Sequence, residues 1–494
     1  MFVNVSPESV GVKSEWIENF IKHLQGKGIV MHDVLMMRGE KIFCEAYWKP
    51  FNPKFLHRQY SQTKSFVGVA IGLLEEEGKL SLDNKIADYF RDKIERKLPE
   101  YLEQQTIRDM LTMTTSCVCP DWFVDKDKDR VHLYFNASKV TRPAGTTWEY
   151  DSPGSQVLSV LVERLSGKTL LEYLKEKLFN EMGCFQTAEI LKSPTGESWG
   201  DSAMLCTARD MLAFARFVMN YGVWNGKRLM NETYLRKATS NVVCNNNSGH
   251  SDTHHQGYGY QIWRMRNHSF AFVGMGQQLT ICNPEKDVIF VCNGDTQGAY
   301  YPYDTLINYY FDEILERIDK ELLPENVVTY QRLNALCQGL NLYCLQGEDK
   351  SALQDKINGK KYKILQSTGA NVSEFSLTFD NSGGGILTYV NEQGEKKLPF
   401  TINQNLFCKF PQLGYSNTYG AVETTDGFMY DCAVSATWKT ENKLQIYVQI
   451  IDKYFGNCTM NFVFKDDCVT VELMKCAEAF LNEYRGILVG KAIN

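Results

Sequence analysis

The sequence predicts a protein of mixed α and β structure followed by a separate, mostly β domain, and three patterns carry this prediction. The stretches 34–37 and 42–48 are rich in apolar, strand-forming residues and flank a short polar turn, which is typical of a β-hairpin. Residues 66–74 place apolar side chains at helical spacing. Beyond about residue 361, apolar and polar residues alternate as they do in strands, with glycine-rich turns between them.

The order of these patterns predicts the domain organisation. The middle of the chain is mainly helical, and strands return at 278–282 and 288–292, joined by a turn at Asn283-Pro284. A helix is predicted at 303–318. The predicted parts are an N-terminal domain at 1–322, a linker at 323–360 and a C-terminal β domain at 361–494.

Five strands are predicted in the C-terminal domain, at 375–379, 386–390, 444–451, 460–464 and 469–473. Its aromatic residues suit either a ligand-holding barrel or packing against the N-terminal domain. Packing is favoured, because every barrel or sandwich needs such residues.

The composition bears on possible partners. With 494 residues, of which 44% are hydrophobic, the chain is long enough for more than one buried core. Lysine and arginine number 53 against 59 acidic residues, a formal charge of -6, and no basic run is long enough to bind nucleic acid or an anionic membrane. We expect neither as a partner, and the sequence indicates no oligomeric state.

Cysteine usage predicts a reducing compartment. The chain has 15 cysteines, an odd number without regular spacing, which does not fit a disulfide framework. Cys117 and Cys119 are interpreted as small apolar loop residues, with redox or metal chemistry as the less favoured alternative. The first residues lack the basic and apolar regions of a signal peptide, and the longest apolar run, 66–74, is too short to span a bilayer. We therefore expect a cytoplasmic protein.

The strongest functional signal is Ser61, followed three residues later by Lys64 at the start of the apolar helix. This spacing places a hydroxyl and an amine on one helix face. A serine hydroxyl is too weakly acidic to attack a carbonyl unaided, and a desolvated lysine loses proton affinity until it can accept that proton. The pair predicts a nucleophile with its base. The alternative is an N-cap serine beside a lysine that extends to solvent.

The sequence around this pair strengthens the prediction. Residues 60–66 and 78–86 resemble the nucleophile helix of the serine β-lactamase and penicillin-binding-protein superfamily, in particular its class C-like branch of esterases, D-aminopeptidases and amide hydrolases. Segments 106–115 and 207–211 are similar to two further helices of that branch, in the same order. The resemblance extends over about residues 5–318. It implies an antiparallel sheet of first and last strands, flanked by helices, with an all-helical insertion.

In the second motif the branch carries a tyrosine, and Tyr150 occupies that place. A Pro/Gly turn precedes it and the apolar helix 157–165 follows, so Tyr150 is predicted on a loop fixed by a helix. The resemblance implies that Tyr150 and Lys64 share the proton taken from Ser61 and return it to the leaving group. The alternative is a tyrosine that only packs its ring. Where the family often has Tyr-x-Asn, this chain has Ser152, a hydrogen-bond donor of shorter reach.

The third motif departs further from the family. Penicillin-recognising members carry Lys-Thr-Gly or His-x-Gly, whereas the corresponding triplet here is Phe272-Val273-Gly274. It lacks the cation that would bind a substrate carboxylate, so penicillins and D-Ala-D-Ala peptides are not expected as natural substrates. By resemblance, the N–H groups of Ser61 and Met275 form the oxyanion hole, and Gly274 permits close backbone approach. An ordinary bulge or turn is the alternative.

Two aromatic residues and one polar loop complete the candidates. Tyr260 and Trp263 lie in a segment similar to one in single-chain serine hydrolases and are predicted to line the pocket, with core packing as the alternative. The loop 245–255 contains three histidines, but its polar composition favours solvated surface over a metal site.

These motifs together predict a serine hydrolase that acts on a small ester or amide through an acyl-enzyme, without metal or cofactor. Ser61 attacks, Lys64 and Tyr150 move the proton, and water releases the acyl group. The alternative is a penicillin-binding or pseudoenzyme-type binding protein with little turnover, which the uncharged third motif leaves open.

Overall fold

The computed structural model describes residues 2–246, 256–297, 301–318, 321–420, 422 and 427–493, without the side chains of 301–303. Its contacts divide the chain into two compact units, Met1–Asn341 with Thr418–Gly420 and Leu342–Asn417 with Ala421–Asn494. Within the described ranges, no helix is long and apolar enough to cross a membrane.

The first unit is built on a seven-stranded sheet that joins the beginning and the end of its sequence. The strands are β1 (Val3–Asn4), β2 (Met31–Arg38), β3 (Lys41–Tyr47), β4 (Trp263–Arg264), β5 (Phe270–Gly274), β6 (Gln278–Asn283) and β7 (Val288–Gly294). Their order is β1-β3-β2-β7-β6-β5-β4, and all neighbours are antiparallel except β1 and β3. The predicted hairpin and the predicted antiparallel sheet are confirmed.

Both units contain helices, and the last of them in chain order, at 354–357, belongs to the second unit. They are α1 (Ser14–Gly26), α2 (Thr63–Glu76), α3 (Glu100–Glu103), α4 (Ile107–Leu111), α5 (Arg130–Ala137), α6 (Ser152–Ser166), α7 (Leu170–Leu174), α8 (Asn180–Met182), α9 (Ala208–Met219), α10 (Glu232–Ala238), α11 (Tyr301–Tyr309), α12 (Val327–Gln338) and α13 (Gln354–Ile357). Capping boxes fix the starts of α4, α7 and α9, where a threonine and an acidic residue three positions later bind each other's backbone N–H.

The predicted insertion between β3 and β4 is mainly helical but also contains short strands. These are His57–Arg58, Cys117–Val118, Lys139–Val140, Glu189–Ile190, Met204–Cys206, Val223–Trp224 and Lys227–Arg228. One of their pairings is functionally relevant. The strand that leads to Ser61 pairs with Met204–Cys206 through His57 with Cys206 and Arg58 with Leu205.

Alternating side chains give the sheet two buried faces. In β7, Phe290 and Cys292 pack into one core with α1 and the π-helical segment Tyr310–Leu315. Ile289 and Val291 pack into the other core with α2 and α9. Helix α2 is buried at every residue from Thr63 to Leu74, so its amino-terminal end is held rigidly.

The stretch 323–360, predicted as a linker, contains α12 and α13. Leu333 and Leu340 are buried in the core of the first unit, and Arg332 binds Glu18 of α1 with its Nε 2.6 Å from a carboxylate oxygen. The domain boundaries proposed from the sequence stay a prediction.

The second unit is a ten-stranded β barrel. Its strands are β8 (Lys361–Ser367), β9 (Glu374–Phe379), β10 (Gly384–Asn391), β11 (Gly394–Ile402), β12 (Leu406–Ser416), β13 (Gly427–Thr440), β14 (Lys443–Ile450), β15 (Asn457–Lys465), β16 (Cys468–Cys476) and β17 (Gly486–Ile493). The sheet closes where the end of β11 pairs in parallel with β13. An apolar cavity of about 30 Å³ lies among residues of its interior, including Phe375, Tyr389 and Phe462.

Candidate active site

Ser61 lies in a single 3₁₀ turn, Tyr60–Gln62, directly before α2. Tyr60 has a φ of 45°, a left-handed value that bulky residues rarely adopt. Its hydroxyl accepts a hydrogen bond from Gln297 Nε2 at 3.0 Å, and the Arg58 guanidinium lies 4.3 Å from its ring centroid. These contacts hold the sharp turn that carries Ser61.

Lys64 is buried beside Ser61, with only 2% of its surface exposed. Its Nζ lies 2.9 Å from Ser61 Oγ and donates to the backbone carbonyl of Asp201 at 2.7 Å. Oδ2 of the Asp201 carboxylate lies 3.8 Å from the same nitrogen. The structure therefore brings the predicted nucleophile and base into hydrogen-bonding distance.

Tyr150 is half-buried on the loop before α6 and faces Lys64. Lys64 Nζ lies over its ring, 5.1 Å from the centroid. The ring stacks on Trp263 with 5.8 Å between centroids, and Trp148 packs against both rings. The structure thus places Trp263 next to Tyr150, where it fixes the orientation of the tyrosine ring.

The two residues after Tyr150 begin helix α6. Asp151 is the N-cap, and its Oδ1 accepts a hydrogen bond from Gly154 N at 2.9 Å. Burial raises the pKa of the Asp151 carboxyl, an effect that this hydrogen bond partly offsets. Ser152 is the first helical residue and is half-buried. The acidic residue in this motif therefore fixes the helix start.

The edge of β5 runs beside the nucleophile turn. A Cβ at Gly274 would lie 2.4 Å from the Gln59 carbonyl oxygen, so only glycine allows this approach. Met275 follows the strand and is half-exposed, and its carbonyl accepts a hydrogen bond from Gln278 Nε2 at 2.7 Å. The predicted triplet is thus the end of a strand that contacts the Ser61 turn.

The nearby arginines of the β4 region have other partners. Arg264 donates to the Thr239 carbonyl at 3.0 Å, and Arg266 forms an ion pair with Asp312 at 2.7 Å. Both side chains are thus held by backbone and carboxylate partners.

Tyr260 is placed away from Ser61. Its ring belongs to the core, and its hydroxyl accepts a hydrogen bond from Arg108 at 2.7 Å. It lines a cavity of about 310 Å³ together with Gly72 and Glu75, near the far end of α2. Gly72 is eight residues beyond Lys64, a rise of roughly 12 Å along a helix. The structure therefore does not bring Tyr260 to the nucleophile, in contrast to Trp263.

Sequence analysis missed a cluster around Asp201. Arg58 and Arg130 are both buried, and each guanidinium lies 4.6 Å from the Trp199 ring centroid. Arg58 Nε also donates to the Ser202 carbonyl at 3.0 Å. The loop that carries Asp201 is therefore fixed by arginines from two other segments. Arg130, Trp199 and Asp201 are far from Ser61 in the sequence, so no local motif relates them to it.

No metal site is found in the part of the chain that the structure describes, since no group of three or more His, Cys, Asp or Glu side chains could hold an ion there. The histidines at 250, 254 and 255 lie outside the described residues.

A family model described as Beta-lactamase matches residues 17–305. The chain is 24% identical over 215 residues to 6-aminohexanoate-dimer hydrolase of Paenarthrobacter ureafaciens, covering 41% of this chain and 55% of that protein. It is 26% identical over 152 residues to Penicillin-binding protein 4* of Bacillus subtilis, covering 28% of this chain and 32% of that protein. The matches thus span about half or less of these two relatives.

Solved structures share the fold at low identity. The hydrolase EstCE1, described as having promiscuous acyltransferase activity, has a TM-score of 0.50 and 14% identity, over 62% of this chain and 99% of its own. A penicillin-binding protein homologue from Caulobacter crescentus has a TM-score of 0.50 and 15% identity, over 63% of this chain and 99% of its own.

Proposed function

Because the chain belongs to the Beta-lactamase family, we propose that it is a serine hydrolase that transfers the acyl group of a small ester or amide to Ser61 and then to water. The observation that carries this proposal is the 2.9 Å distance between Lys64 Nζ and Ser61 Oγ, with the lysine buried. A buried amine at this distance can remove the hydroxyl proton as the oxygen attacks.

The remaining groups suit the steps that follow. The Ser61 Oγ forms a bond to the substrate carbonyl carbon while its proton moves to Lys64. The N–H groups of Ser61 and Met275 would hold the oxyanion, in keeping with the close approach of β5 to the Ser61 turn. Tyr150, whose ring centroid lies 5.1 Å from Lys64 Nζ, would pass this proton from Lys64 to the leaving group as the bond between that group and the carbonyl carbon breaks. Water then attacks the acyl-enzyme by the reverse proton path.

The residues at the end of β5 affect which substrates the site can bind. The triplet Phe272-Val273-Gly274 has no cation, and Arg264 and Arg266 have other partners. A penicillin carboxylate would therefore lack a charge-assisted hydrogen bond at this edge. The similar proteins include one named 6-aminohexanoate-dimer hydrolase and a hydrolase with promiscuous acyltransferase activity, which fits a small ester or amide.

The second candidate is a penicillin-binding protein with little turnover, favoured by the relative of that name. Intact-mass analysis after exposure to a fluorophosphonate and to a penicillin separates the two. We expect one phosphonate adduct, absent in Ser61→Ala and nearly absent in Lys64→Ala, together with hydrolysis of p-nitrophenyl acetate. A stable penicillin adduct without ester hydrolysis would favour the second candidate. Undiminished labelling of Ser61→Ala would refute the nucleophile.

A further inference from the structure

The carboxylate of Asp201 has no part in the steps above, although it is the acidic group beside the proposed base. Asp201 is buried, with 3% of its surface exposed. Its Oδ2 lies 3.8 Å from Lys64 Nζ, and its carbonyl accepts a hydrogen bond from the same nitrogen at 2.7 Å. Its Oδ1 is also buried, and the Trp199 side chain lies close enough to this carboxylate to lower the pKa of its carboxyl by hydrogen bonding. Backbone and side chain of one residue therefore both act on Lys64.

The loop around Asp201 is built to keep this arrangement. Arg58, which precedes the nucleophile turn, donates to the carbonyl of Ser202 and covers the Trp199 ring. Arg130, at the start of α5, covers the same ring. Residues on both sides of Asp201 are thus held by side chains from other elements. A small shift of Lys64 relative to Ser61 would be resisted by this loop.

Burial and the neighbouring cations have opposite effects on the pKa of the Asp201 carboxyl. Burial raises the pKa of this carboxyl, whereas Lys64, Arg130 and Arg58 each lower it. An anionic Asp201 stabilises the ammonium form of Lys64, which cannot accept a proton. The two guanidinium groups also face this carboxylate and favour its anionic form.

We propose that Asp201 is a positioning residue: its carbonyl holds Lys64 against Ser61, and its carboxylate sets the pH at which Lys64 becomes able to act as a base. This proposal rests on the proposed function, in which Lys64 takes the proton from Ser61. Asp201, which lies outside the three sequence motifs, would then control the pH dependence of the reaction.

The test is the rate of fluorophosphonate labelling of the full chain as a function of pH. Asp201→Asn keeps the carbonyl and nearly the same shape but removes the charge. We expect its half-maximal pH to fall, because it removes the negative charge 3.8 Å from Lys64 Nζ. Asp201→Glu, which restores a charge, should move the half-maximal pH back toward the wild-type value.

A matched control removes another buried carboxylate of the same unit. The Asp33 side chain accepts two hydrogen bonds from Asn293, each 2.9 Å long. Asp33→Asn should therefore leave the half-maximal pH of labelling unchanged. If Asp201→Asn does not fold by circular dichroism, Asp201→Ser provides the same loss of charge. A folded, charge-free variant with the wild-type pH profile would overturn the proposal. Failure of the wild type to label would instead refute the proposed function.

Discussion

At the scale of single residues, the turn before α2 combines backbone strain with side-chain anchors. The left-handed φ of Tyr60 costs of the order of 1–3 kcal/mol for a residue with a bulky side chain. Burial of its ring, the hydrogen bond from Gln297 and the contact with Arg58 offset this cost. The strained residue stands immediately before the proposed nucleophile, where it sets the direction of Ser61.

Gly274 gives a prediction at the same scale. In Gly274→Ala the new methyl carbon would lie 2.4 Å from the Gln59 carbonyl oxygen, so β5 must move away from the Ser61 turn. Because small misplacements at a reacting centre cost up to about 100-fold in rate, we expect ester hydrolysis to fall at least about tenfold. Gly26→Ala is the control, since a Cβ there meets nothing within 4 Å. Equal rates for both variants would contradict the role given to the strand edge.

Asp33 gives a second prediction, on stability. Burial raises the pKa of its carboxyl from 3.8 to about 7, although hydrogen bonds from Asn293 oppose the shift. The folded state therefore binds the proton more tightly than the unfolded chain does. The stabilising contribution of this proton is complete below pH 3.8 and is lost as the pH rises through about 7.

Asp33→Asn should remove this loss. Relative to wild type, the free energy of unfolding of Asp33→Asn should increase between pH 4 and pH 7 and then level off. The increase should reach about 4 kcal/mol, because each pKa unit corresponds to about 1.36 kcal/mol. Urea unfolding at pH 5 and pH 8 measures the difference. Asn293→Ala keeps the carboxyl and should retain the pH dependence. A stability difference between Asp33→Asn and wild type that is the same at both pH values would contradict this assignment.

At the scale of elements, the start of α6 connects helix capping with the site. Asp151 caps the helix and directly follows Tyr150, so Asp151→Ala should cost about 1 kcal/mol of stability and also displace the tyrosine. The control is Thr169→Ala, which removes the cap of α7, where Thr169 Oγ1 accepts from Glu172 N at 3.3 Å. We expect similar losses in Tm but a fall in ester hydrolysis only in Asp151→Ala. Full activity in a destabilised Asp151→Ala would show that the cap does not position Tyr150.

Apolar residue patterns explain which elements the sequence predicted. Strand β7 contains the continuous apolar run 288–292 and helix α2 places apolar residues at helical spacing, and both were predicted close to their observed bounds. Strand β13 was not among the predicted strands, because its buried stretch 432–438 contains Ala433, Ser435 and Ala436, small residues that give a weak strand signal. The order of secondary structure was therefore easier to predict than the closure of the barrel.

The same reasoning separates the candidate residues. Ser61 and Lys64 are three positions apart, so one helical turn relates them. Lys64 and Asp201 are 137 positions apart and meet only through the tertiary fold. Tyr260 and Trp263 were predicted together, but they are three positions apart, and in an extended segment such residues point to opposite faces. Gln261 between them also has a φ of 59°, which turns the chain. Local motifs predicted the proposed nucleophile and base, whereas their environment required the structure.

At the scale of the whole molecule, all the groups of the proposed mechanism lie in the first compact unit. The helix α12 belongs to the same unit, with Leu333 and Leu340 in its core. The Leu340 carbonyl also accepts a hydrogen bond from Lys49 N at 3.1 Å. We propose that this unit alone carries out the reaction, and truncation of the chain tests this proposal.

A chain that ends at Asn341 should fold and react with the fluorophosphonate at a rate close to that of the full chain. A chain that ends at Leu322 lacks α12 and exposes the apolar surface that Leu333 and Leu340 cover. Because burying a leucine side chain contributes about 1.5–3 kcal/mol, we expect this shorter chain to have a clearly lower Tm. Circular dichroism, thermal unfolding and labelling rates of the three proteins measure these differences. If the chain ending at Asn341 folds but does not label, residues beyond 341 complete the site, and the proposed division between the two units has to be abandoned.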